Sequence, residues 1–210
     1  IMPFISYPFI PFYIYHTINL RKTNMLQSNI YKLYFIKALT WFFLYIPILV
    51  LFLQENGLSM AQVFILQGAF SLAVVLFEVP SGYFSDVIGR KKSIIIGIIL
   101  SFFAFCIYSV VHGFWGFLLA EFILGFGASF ISGADSALLY DSLLGLQRTK
   151  EYKKLEGRFN AIGNFSESIA SISGGFLALI SLRFPFYFQA IVVFFALPIA
   201  FSLYEPSRHK

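Results

Sequence analysis

Long apolar blocks alternate with short polar breaks along this chain. Six blocks, approximately 33–53, 60–80, 94–111, 114–139, 159–182 and 186–204, have the length and composition of bilayer-crossing helices. A hydrocarbon core about 30 Å thick needs roughly 20 mostly apolar residues at about 1.5 Å of rise each. The breaks are of two kinds, and they take turns. Residues 54–59, 112–113 and 183–185 carry one cation between them, whereas 81–92 and 145–158 are basic. Such alternation predicts an all-α, polytopic chain that zigzags through a membrane with six transmembrane helices.

Lysine and arginine fix the orientation. Arg21, Lys22, Lys32, Lys37, Arg90, Lys91, Lys92, Arg148, Lys150, Lys153, Lys154, Arg158, Arg208 and Lys210 fall on one side, and only Arg183 on the other. The excess of cations on cytoplasmic loops then places both termini in the cytoplasm of a multi-pass protein of the plasma membrane. Spans 1–3 and 4–6 start on opposite sides, the layout of a 3+3 inverted repeat.

The first 24 residues stand apart. They are uncharged until Arg21, but Pro3, Pro8 and Pro11 each lack a backbone donor that a helix in lipid would require. They are expected to be poorly ordered or an upstream extension, with Met25 as the start of a six-helix domain over 25–210.

Composition removes several functional classes. Hydrophobic residues are 59% of the chain and charged residues 12%, against roughly half and a quarter in globular domains. Lipid must therefore solvate much of the surface, and membrane lipids are expected partners. The net charge of +5 is spread over short loop clusters instead of one solvated face, which argues against nucleic acid. Cys106 has no partner for a disulfide within the chain, and His16, His112 and His209 are too scattered for a metal site. No nucleophile–base pairing and no phosphate-cradling loop is present, so neither an enzyme nor an ATP-driven pump is expected, and no cofactor.

Charge concentrates in "EVPSGYFSDVIGRKKS", residues 78–93. A membrane anchor needs only the cations, so the acid Asp86, four residues before Arg90, asks for a partner such as a helix N-terminus or a guanidinium. Gly82, Asp86, Gly89, Arg90, Lys91 and Lys92 fill every fixed position of Gly-x-x-x-Asp-x-x-Gly-Arg-Lys/Arg-Lys/Arg. The segment thus resembles the loop between helices 2 and 3 of the major facilitator superfamily, and the layout of the chain resembles one half of that twelve-helix fold.

The resemblance implies a secondary transporter whose two six-helix bundles rock about a midplane site. It also implies that Asp86 helps close the cytoplasmic side and that Arg90 joins a charge relay with an acid near the end of helix 4, either Asp141 or Asp135. A C-terminal six-helix half, or a second copy, becomes an expected partner. Two departures bear on coupling. Glu121 stands where drug exporters carry an arginine four residues before a glycine, and Ala170–Ser171 replace a Gly-Pro pair ahead of Gly174–Gly175.

Acids at bilayer depth cost at least about 2.5–3.5 kcal/mol on insertion scales and normally face a cavity or a partner. Glu121 and Glu167 are accordingly candidate protonation sites, with a neutral carboxyl that merely packs as the alternative. Gln67, Asn164 and Tyr45 are candidate substrate contacts or packing groups. Glu78 is read as a partner of Arg90 or another loop cation. Gly125, Ser129, Ser132 and Gly133 in helix 4, with Ser166, Ala170, Ser173 and Gly174 in helix 5, would let helices approach closely, and Pro47 would bend helix 1. The expected function is gradient-driven transport of a small molecule, with proton-coupled efflux of an amphipathic drug or metabolite as one form. The alternatives are a non-transporting six-helix scaffold and an inactive truncated remnant.

Overall fold

The computed structural model describes the backbone of residues 9–206 and the side chains of residues 20–206. Pro3 and Pro8, and Arg208, His209 and Lys210, lie outside the described residues. Among the described residues eight α-helices follow one another: α1 Phe9–Thr40, α2 Leu49–Glu55, α3 Met60–Ile88, α4 Arg90–Val110, α5 Phe114–Ile131, α6 Ala134–Gly145, α7 Tyr152–Ala178 and α8 Phe184–Phe201. Helix α1 takes in residues 9–24, which the sequence reading set apart.

Two of the expected rods are interrupted. The 33–53 block breaks between Thr40 and the short 3-10 turn Ile46–Ile48, because Pro47 cannot donate and disfavours helix at the residue before it. The backbone freed there finds a side chain: the Leu44 amide donates to Gln189 Oε1 of α8 at 2.9 Å. The 114–139 block breaks at Ser132–Gly133, where Gly133 has φ +75°, a conformation that strains other residues.

This second break orphans the last carbonyls of α5. Serines from neighbouring helices satisfy two of them. Ser81 Oγ of α3 donates to the Ser129 carbonyl at 2.8 Å, and Ser93 Oγ of α4 to the Phe130 carbonyl at 2.7 Å.

By length and composition, α3, α4, the pair α5–α6 over Phe114–Gly145, and α8 can each cross a membrane. Six spans were expected. The 33–53 block is divided between the end of α1 and the short α2, and α7 begins with the basic segment Tyr152–Arg158, so neither forms one long apolar helix. The protein is an all-α membrane bundle. Helix α4 is its centre, packed against α5, α3 and α8, while α1 packs against α6, α7 and α8.

Small residues set the closest approaches. A Cβ on Gly97 would lie 2.6 Å from the Gly127 carbonyl oxygen, and one on Gly125 equally close to that of Phe70. On Gly174 a Cβ would collide with the Leu44 carbonyl at the first break. The opposite faces stay apolar and uncovered: Leu72, Val75 and Val79 on α3, and Phe165, Ile172 and Phe176 on α7, are exposed. That pattern suits lipid or another helical bundle.

Candidate functional site

The charged segment 78–93 is almost entirely helical. Instead of the expected loop over 81–92, one residue, Gly89, separates α3 from α4. Its φ of +128° is open to glycine, and a Cβ there would press on the Glu205 carboxylate at 3.3 Å. The turn can be this short because Glu205, beyond α8, caps α4. The Arg90 and Lys91 amides donate to Glu205 Oε1 and Oε2 at 3.0 and 2.8 Å. A carboxylate on the first free amides of a helix satisfies them and meets the positive end of its dipole.

Arg90 faces two acids. Its Nη2 lies 3.6 Å from Asp86 Oδ1, and its Nε lies 2.7 Å from Asp141 Oδ2 of α6 in a direct ion pair. Asp86 keeps 68% of its side chain exposed. Lys91 is half-buried, Lys92 and Gly82 are exposed, and Glu78 is exposed on α3. Glu78 forms no ion pair with Arg90 or with any other cation among the described residues; it lies two helical turns before Asp86, on the outer part of α3.

Asp135 is not part of this cluster. It starts α6 and pairs with Lys37 of α1 at 3.2 Å, both side chains less than a tenth exposed. Lys37, counted from the sequence among the loop cations, is therefore an interior residue. Its Nζ also sits over the rings of Trp41 and Phe159, 4.4 and 4.6 Å from their centroids. Beside the pair opens a cavity of about 430 Å³, where both helix breaks meet. Thr40, Tyr45, Ser132 and Ser136 give it polar edges, while Phe70 and Phe105 form apolar wall.

The other candidates separate. Glu121 is buried away from the cavity lining, with Oε1 accepting from Tyr108 Oη at 2.6 Å and from Gln67 Nε2 at 3.0 Å. Tyr108 is itself stacked on Phe186, with centroids 5.0 Å apart. Tyr45 lines the cavity and packs against Phe105 and Phe186. Asn164 is exposed on α7 and Glu167 is half-buried there.

At the opposite end, the guanidinium of Arg183 donates to the Ser109 and Val111 carbonyls and to Asn56 Oδ1, at 3.1, 3.1 and 2.7 Å. It thus ties together all three short connections of that side. In the basic 145–158 connection, Arg148 donates to both Glu151 oxygens at 2.7 Å, which holds the Glu151 carboxyl below its ordinary value.

Sequence reasoning missed Lys37, Glu205, Gln189 and the role of Arg183. A lone lysine inside the apolar run "YFIKALTWFF" was the signal for the first. Nothing local signals Glu205, whose bonding partners are 114 and 115 positions away.

An apolar-surfaced helical bundle, with charges gathered at one helix junction and a cavity at two helix breaks, is an integral membrane protein. The chain matches the Major Facilitator Superfamily over residues 32–210 and belongs to it. It is similar to the quinolone resistance protein NorA of Staphylococcus aureus: 29% identical over 166 residues in strain Mu50, covering 79% of this chain and 42% of that protein. In strain MRSA252 the figures are 31% over 145 residues, 69% and 36%. An uncharacterized MFS-type transporter of Methanocaldococcus jannaschii is 26% identical over 160 residues, covering 76% of this chain and 40% of the relative. The chain spans about two-fifths of the length of these relatives.

Proposed function

We propose that this chain acts as the first bundle of a gradient-driven secondary transporter that exports a small amphipathic solute across the plasma membrane. The observation that carries the reading is the cavity of about 430 Å³ at the junction of two interrupted helices. That volume lies within the roughly 300–1,000 Å³ usual for small-molecule sites, and helix breaks at membrane depth are tolerated where they line a cavity or are buried in protein. The name of the Staphylococcus aureus relatives, quinolone resistance protein, supports a drug-like compound as the solute.

In this reading both termini face the cytoplasm, and all six apolar blocks cross the membrane. The Arg90 cluster forms a latch on the cytoplasmic side. Asp141 and Glu205 hold Arg90 and its backbone in place, and the more exposed Asp86 meets a second six-helix bundle, supplied by a C-terminal half or a second copy. The exposed apolar faces of α3 and α7 suit contact with that bundle. Protons are the proposed coupling ion, with Glu121 and Glu167 as the acids that would carry them.

The test is flux in proteoliposomes containing the protein assembled with its second bundle, under an imposed pH gradient. Asp86→Asn is expected to lower gradient-driven flux of a lipophilic dye about tenfold or more while the protein remains inserted. Flux equal to that of the unmodified protein would contradict the latch, and no gradient-dependent flux in either would contradict the transport reading.

A further inference from the structure

The interior of the bundle already holds a cation. Lys37 Nζ lies 3.2 Å from Asp135 Oδ2 and within 4.6 Å of the centroids of two aromatic rings, those of Trp41 and Phe159. Ring faces and a carboxylate all favour positive charge, and this combination is how proteins recognise organic ammonium groups.

The two members of the pair are not equally fixed. Asp135 stands in the first turn of α6, where the helix dipole favours an acid, and its Oδ1 accepts the Ser136 amide at 2.7 Å. The Ser136 hydroxyl in turn donates to Glu156 Oε1 at 2.6 Å, which brings a second acid to the same corner. Lys37 reaches the carboxylate on a flexible four-carbon stem, and its ammonium makes one hydrogen bond among the described residues, to Asp135. The ammonium thus has fewer hydrogen-bond anchors than the carboxylate. Exchange keeps the Asp135 carboxylate paired throughout, and because a buried charge left unpaired is costly, the displaced Lys37 ammonium must turn to water in the adjoining cavity, which it lines.

Room for the exchange is adjacent. Lys37, Trp41 and Asp135 all line the cavity, and Phe43, Phe70 and Phe105 offer wall to the hydrocarbon part of a ligand. An anionic ligand would instead have to dislodge the anchored carboxylate.

We propose that Asp135, Trp41 and Phe159 form a binding site for an organic cation, with Lys37 as the resident occupant that an entering ligand displaces. The inference rests on the transport reading only for the ligand being cargo, since the binding chemistry needs no flux. The test is equilibrium binding of tetraphenylphosphonium to the purified protein in lipid nanodiscs, alongside flux of the same probe in proteoliposomes. Asp135→Asn is expected to weaken binding tenfold or more, and Lys37→Met, which removes the competitor, to tighten it at least threefold. The charge-neutral double variant Lys37→Met/Asp135→Asn guards against misfolding; it is expected to melt like the parent and bind at least tenfold more weakly. Parent-like binding by Asp135→Asn or by the double variant, or weaker binding by Lys37→Met, would overturn the site. So would uptake of tetraphenylborate that depends on Lys37. Asp135-dependent binding without flux would keep the site and sink transport; flux unaffected by Asp135→Asn, with binding also unaffected, would do the reverse.

Discussion

The Arg90 guanidinium lies 2.7 Å from the carboxylate of Asp141 on α6, nearer than its 3.6 Å approach to Asp86 one turn away. The contact joins the α3–α4 junction to α6, two residues beyond the interrupted 114–139 block. Both side chains are about one-fifth exposed, so the pair is neither a screened surface bridge nor fully desolvated.

Asp141→Asn is expected to leave Arg90 with a weaker neutral acceptor and to lower transport by about tenfold, equivalent to about 1.4 kcal/mol. Arg90→Lys should fare no better, because an ammonium is a point charge and cannot reach both acids as a fork does. Exchanging the two residues should recover part of the flux. The check is initial-rate uptake in vesicles with expression matched by blotting.

Adjacent glycines on α7 should behave oppositely. Gly174→Ala drives a Cβ into the Leu44 carbonyl and should destabilise the bundle by about 1–3 kcal/mol, the usual cost of overpacking. Gly175 has nothing within 4 Å of a built Cβ, so Gly175→Ala should be neutral or stabilise by up to about 1 kcal/mol through helix propensity. Thermal unfolding in detergent followed by tryptophan fluorescence distinguishes the two; equal melting shifts would refute the close approach.

Glu205→Gln keeps the shape of the cap on α4 but removes its charge. The expected loss is about 0.5–2 kcal/mol, the range of a capping contact. Gly89→Ala should cost at least as much, since it combines the positive φ with pressure on the same carboxylate. Hydrogen exchange at the Arg90 and Lys91 amides reads this directly: both should exchange faster in Glu205→Gln, and unchanged rates would count against the cap.

Arg183→Ala should loosen three connections together. It leaves the part-buried Ser109 and Val111 carbonyls without their donor, each at no more than the cost of a fully buried unsatisfied group, about 1–3 kcal/mol. Arg183→Lys should recover little, because three acceptors in different directions call for the guanidinium fork. Limited proteolysis of the 54–59, 112–113 and 183–185 connections is the measurement, and cleavage at all three should accelerate in step.

The rods were legible in the sequence where apolar runs are long and uniform, as in α3, α4 and α8. Their interruptions were less so. Hydropathy averages over a window, so it passes across Trp41–Tyr45 and Ser132–Gly133, and only Pro47 and Gly133 marked those places. The pattern at 82–92 was visible, but its shape was not: polar residues read as loop, whereas a distant carboxylate lets the turn shrink to Gly89. Counting cations by side of the membrane treated Lys37 like its neighbours. Its partner lies 98 residues away, and only packing brings the two together.

Solute access to the cavity tests the central claim most directly. With Cys106→Ser as background, Val74→Cys places a thiol on the cavity lining contributed by α3. A membrane-impermeant maleimide applied from one side of oriented vesicles should label it, and tetraphenylphosphonium should slow that labelling at least threefold. Labelling that proceeds at the same rate with and without the probe would show that the cavity does not hold the solute, and would contradict the account.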